Sequence, residues 1–153
     1  MEKQVNKVSC AKKQIIASLS LAAISLFLMI IDVCIEIYKF SKNVPAEEFS
    51  KGLTNMHIGF AAIELLSTIV ILVLTSTTHC IFKKENMLNK SRKDLFICNW
   101  FFASLYIALS IVAATLLGVD HPALVQAFLA GFSVVPMAAM TAVGGMMFTS
   151  FNK

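Results

Sequence analysis

The sequence predicts an all-α membrane fold: one domain, an antiparallel bundle of four transmembrane helices. Three observations predict it. The 153-residue chain is 58% hydrophobic and 14% charged, with a mean hydropathy of +0.77, whereas soluble domains are about 45–50% apolar and about 25% charged. Four stretches carry no charge: Gln14–Ile31, Leu65–Phe82, Leu95–Val119 and His121–Asn152, of 18, 18, 25 and 32 residues. A bilayer core takes about 20 helical residues, so each can supply one span. The third observation is the basic stretch Lys83–Asp94, which holds five Lys and Arg residues between two apolar runs. The expected spans are about 14–38, 57–82, 95–117 and 123–148, with 83–94 as a charged loop.

Orientation follows from the basic residues. Lys3, Lys7, Lys12 and Lys13 precede the first span, five more lie in 83–94 and Lys153 ends the chain, whereas the other side holds only Lys39, Lys42 and Lys51. Ten against three places both termini and the 83–94 loop in the cytoplasm. The net charge of +4 is spread over membrane-flanking positions instead of one continuous face, which argues against nucleic acid as a partner.

The first span opens like a signal peptide, but its apolar run exceeds the usual 7–15 residues and lacks a small-x-small cleavage site, so it reads as an uncleaved helix. Ser18, Ala22, Ser25, Met29, Asp32 and Glu36 alternate at spacings of four and three, which gathers them on one helical stripe. Lipid offers no hydrogen bonds, so this small and polar face belongs against other helices. In the outer connection, Pro45, Glu47, Glu48 and a terminating Gly52 suggest a short surface helix.

The second span repeats the pattern with His57, Ala61, Glu64, Thr68, Ile71, Thr75 and Thr78. Its polar end, Thr75–Cys80, reads as a fraying end or a bend. Asn99, Ala103, Tyr106, Ser110 and Ala113 form the stripe of the third span, and Trp100 with Phe101 and Phe102 reads as an interfacial anchor. A Gly118–Pro122 turn leads into the fourth span, where Gln126, Ala130, Ser133, Met137, Thr141 and Gly144 share one side. Small pairs Ala127/Gly131 and Ala138/Ala142 permit close helix approach, and Pro136 should kink this helix. Cys10, Cys34, Cys80 and Cys98 form no CxxC, and the topology separates Cys34 from the others, so no internal disulfide is expected. Cys10, Cys80 and Cys98 read as palmitoylation candidates or as inert small residues.

Ionisable residues inside apolar segments are expensive and invite a functional reading. At about 1.5 Å per residue, Asp32 lies about 9 Å inward from Tyr38 and Glu64 about 10 Å inward from His57, at similar depth in the outer half. Glu36 lies one turn nearer the surface, and Gln126 enters at a comparable level. Carboxylates gathered in low dielectric resist simultaneous ionisation, which makes Glu64, Asp32 and Glu36 a candidate proton- or cation-binding site. The alternative is interhelical glue, with His57, Thr68, Asn99, Tyr106, Ser110, Gln126 and Ser133 as further polar residues facing the bundle.

No catalytic, nucleotide-binding or metal motif is present: no GxSxG, no HExxH and no phosphate-binding glycine loop. His57, Glu64 and His121 share no metal-ligand spacing, so neither a metal nor another cofactor is expected. Two functions remain. One is a non-enzymatic integral membrane protein that acts through contacts with lipid, another membrane protein or a second copy, in an accessory, immunity-type or membrane-organising role. The other is a small proton- or cation-coupled transporter or channel subunit built around Glu64 and Asp32.

Overall fold

The chain contains no glycine or proline before Pro45, and its first helix runs nearly that far. The computed structural model describes residues 2–42, 51–116 and 123–152. They form four helices: α1 (Glu2–Lys42), α2 (Lys51–Lys84), α3 (Lys90–Leu116) and α4 (Ala123–Asn152), with no strand among the described residues. Within them, Gln4–Tyr38, Ile58–Lys84, Lys90–Leu116 and Phe128–Asn152 are each long and apolar enough to cross a membrane.

The helices pack as a four-membered ring. α1 and α3 each lie against both α2 and α4, and α2 against α3 is the sparsest of the four contacts. Neighbours run antiparallel. Thr78 near the end of α2 donates to Gln14 near the start of α1 at 2.8 Å, and Tyr106 well along α3 reaches Glu64 early in α2. Side chains are sorted in the reverse of a water-soluble bundle. Ser18, Ser25, Thr68, Thr78 and Asn99 are buried, whereas Phe27, Leu66, Val73, Phe101 and Phe132 are exposed. Hydrocarbon is the solvent that matches such a surface.

At the basic end, helices continue into the charged segment that the sequence assigned to a loop. α2 reaches Lys84 and α3 starts at Lys90, leaving only residues 85–89 as a turn. Asn86 is left-handed at φ 53°; its N–H bonds to the Lys83 carbonyl and the Met87 N–H to that of Phe82. This is a Schellman cap with Asn in the glycine position, and Met87 packs on the cluster containing Phe82. Asn89 then caps α3, its Oδ1 accepting from the Arg92 N–H at 2.8 Å. Two local caps let the charged residues remain helical.

Other expectations change for packing reasons. Gly52 lies inside α2 instead of ending a helix, since a glycine stops a helix only where a left-handed residue is used, and no described glycine has positive φ. Trp100 turns inward: its indole N–H donates to Thr75 Oγ1 at 3.1 Å, and its ring meets His79 at 5.1 Å. The Thr75–Cys80 stretch is accordingly a seam within a continuous helix, not a frayed end. α4 continues helically through Pro136, which is buried. All four cysteines are free and exposed. The expected surface helix at Pro45–Glu48 and the Gly118–Pro122 turn, with His121, lie outside the described residues.

Close approach occurs at Gly144 and not at Gly131. A Cβ at Gly144 would lie 3.2 Å from Leu19 Cδ1 of α1 and 3.6 Å from its Cα, whereas Gly131 and Gly145 have nothing within 4 Å. Gly144→Leu should therefore cost about 1–3 kcal/mol through overpacking, and Gly145→Leu, one residue away, should be tolerated. Folded yield and thermal melting in detergent compare the two, and equal losses would remove the α1–α4 contact from the account. Small residues on the inward stripes divide in the same way. Ala103 is fully buried, so Ala103→Leu should reduce yield, whereas Ala130 borders open space. Val73, exposed on α2, is the appropriate outward control.

Candidate functional site

Along the bundle the packing changes character. At the basic end Phe82 stacks on Phe151 with centroids 4.2 Å apart, and both belong to a closed apolar cluster with Phe96 and Met147. The middle is filled by Ile71, Ala103, Met137 and Met140. Toward the opposite end the four helices surround a cavity of about 330 Å³. The space is partly open and of the size that ligand pockets take.

The helical period brings the polar residues to it. Asp32 and Glu36 are one turn apart on the inward face of α1, Glu64 comes from α2, Tyr106 and Ser110 from α3, and Ser133 from α4; all six line the cavity. The three carboxylates are 5–9% exposed. Tyr106 Oη donates to Glu64 Oε2 at 3.1 Å, which fixes Glu64 across the α2–α3 contact. Ser110 Oγ donates to the Tyr106 carbonyl and Ser133 Oγ to the Leu129 carbonyl, each at 2.9 Å. A hydroxyl has one hydrogen and two lone pairs. With their hydrogens given to these partners, the three hydroxyls have acceptor capacity left to offer.

Residues that the sequence grouped together are thus divided. Thr68 is fully buried, one turn from Glu64, and donates to the Glu64 carbonyl at 2.9 Å, so it supports the helix instead of lining the cavity. Asn99 is buried but lies nearer the basic end, donating to Thr75 Oγ1 at 3.5 Å. The side chains of His57 and Gln126 lie outside the described residues. Periodicity identified Met29, Ala61, Ala113 and Ala130 on the apolar walls but not Val33, Ile58, Leu65 and Leu129. The signal present was the paired alanines Ala61-Ala62 and Ala113-Ala114 beside the polar stripes, which keep side-chain volume low at that level.

The carboxylates share the cavity without forming a cage. Among the described residues, no group of three His, Cys, Asp or Glu side chains is placed to hold a metal ion. The chain matches no protein-family model, no curated protein and no solved structure, so the chemistry of this cavity must carry the functional argument.

Proposed function

We propose that the chain is a non-enzymatic, multi-pass membrane protein that binds a cation in the cavity between its four helices. Both termini and the 85–89 turn face the cytoplasm, and the cavity lies in the opposite half of the bilayer. The supporting observation is the coincidence of a 330 Å³ space with three buried carboxylates on its wall. Carboxylates at membrane depth cost several kcal/mol on some scales and less on others, yet are costly on all of them. An acidic recess of ligand-pocket size is what a cation-binding site requires. A protein acting only through its outer surface needs no such recess, so the cavity favours cation binding over the contact reading.

The binding test is calorimetric titration of the purified protein in detergent with sodium, calcium and tetraphenylphosphonium, together with proton release on binding. At least one cation should bind saturably, and Glu64→Gln should weaken it tenfold or more. Binding indifferent to Glu64→Gln, Asp32→Asn and Glu36→Gln together would remove the proposal.

The topology has its own test. In a cysteine-free background, a cysteine at Asn86 should resist an impermeant maleimide added outside intact cells, and the Asn89-Lys90-Ser91 sequon should stay unglycosylated in a eukaryotic host. External labelling or glycosylation would reverse the orientation derived from the basic residues.

A further inference from the structure

We infer that the cation taken by this cavity is an organic ammonium ion, a protonated amine carried on an apolar body; the inference rests on the cavity-binding reading above and specifies its ligand. Size is the first argument. At about 30 Å³ per water molecule, 330 Å³ holds roughly ten waters. A proton needs no such volume, and a bare metal ion would need its ligands drawn around it, which the described residues do not provide. The volume falls at the small end of the about 300–1,000 Å³ range of ligand pockets, suited to a compact organic molecule.

The second argument is the wall. Met29, Val33, Ile58, Leu65 and Leu129, with alanines from α2, α3 and α4, give aliphatic surface for the body of such a ligand. Against it stand groups that accept. The carboxylates of Asp32, Glu36 and Glu64 accept when ionised, and the hydroxyls of Tyr106, Ser110 and Ser133, which donate to Glu64 Oε2, the Tyr106 carbonyl and the Leu129 carbonyl, keep lone pairs that also accept. A ligand group with N–H donors therefore finds acceptors on all four helices. A positive charge strengthens each of those bonds, because hydrogen bonds between ionised partners are the strong ones. An anion, such as a fatty acid carboxylate, meets three acidic residues and is rejected.

The test uses the full chain in detergent and phenethylammonium chloride as the probe. Its neutral counterpart is 3-phenylpropanol, and calcium chloride represents a metal ion. Phenethylammonium should give one saturable site, 3-phenylpropanol should bind at least tenfold more weakly, and Glu64→Gln should weaken phenethylammonium at least tenfold. Ala130→Leu, which intrudes on the cavity and leaves every polar group in place, should abolish phenethylammonium binding with the helical circular dichroism unchanged. If Glu64→Gln fails to fold, the ammonium–alcohol comparison in the unaltered protein and the Ala130→Leu variant decide. Equal affinity for the alcohol overturns the inference. Carboxylate-dependent binding of calcium or protons without the ammonium overturns it while leaving the cation-binding reading in place, and binding of every probe indifferent to Glu64→Gln, Asp32→Asn and Glu36→Gln together removes both.

Discussion

Arg92→Met is expected to destabilise the bundle by about 2–4 kcal/mol, because hydrogen bonds from a charged donor contribute about 1.5–3 kcal/mol each and the site is only half-buried, so the three do not add in full. The guanidinium joins two segments far apart in sequence. Its Nη1 donates to the Met87 carbonyl at 2.8 Å, its Nη2 to the Ser150 carbonyl at 2.6 Å, and its Nε to Ser150 Oγ at 3.3 Å. Ser150 is among the last residues of α4, whose terminal carbonyls have no partner within the helix. The same group sits 4.4 Å from the centroid of the Phe151 ring, the ring stacked on Phe82. Removing it therefore loosens the turn, the α4 terminus and the aromatic cluster together. Arg92→Lys should recover little, because an ammonium has neither the planar fork nor the stacking surface. Lys93→Met, at an exposed neighbouring position, should be nearly silent. Thermal or denaturant unfolding in detergent measures all three, and an Arg92→Met protein as stable as Lys93→Met would show that water and detergent replace the clasp.

At the other end, Glu64 should separate structure from function. Glu64→Ala leaves the Tyr106 hydroxyl, on a residue only 3% exposed, without its acceptor, at an expected cost of about 1–3 kcal/mol. Glu64→Gln keeps an oxygen for that bond, so the fold should survive, but it has no charge to offer a cation. Tyr106→Phe combined with Glu64→Gln in a double-mutant cycle measures the coupling between the two side chains. If the carboxylate holds the ligand, protons compete with it. Ligand affinity of the unaltered protein should fall on acidification, and that dependence should flatten in the Gln variant. A Gln variant matching the unaltered protein in folding, affinity and pH dependence would return Glu64 to the role of interhelical glue.

The sequence by itself determined the number of helices, their approximate extent and the face that α1, α2 and α3 turn inward, whereas α4 buries Met140, Val143 and Met147 beside the stripe read for it. The reason is local and strong. Charge is costly in hydrocarbon and an apolar medium supplies no hydrogen bonds, so four charge-free runs and four stripes spaced by three and four residues have few ways to be arranged. The stripe Ser18, Ala22, Ser25, Met29, Asp32 and Glu36 is legible without a structure, and all six residues are buried. Helix ends were less legible, because apolarity says where a span is needed and not where helical hydrogen bonding stops. That is settled by Asn86, Asn89 and the reach of Arg92 to Ser150. Tertiary structure alone decided which small residues permit close approach, Gly144 against Leu19 and not Gly131, since that depends on the rotation and separation of two helices distant in sequence. It also decided that Asp32, Glu36, Glu64 and Tyr106 border a space instead of a packed seam. Periodicity assigns each residue to a face, but the width of the gap between four faces is a sum over side chains on all of them, and no one segment encodes it.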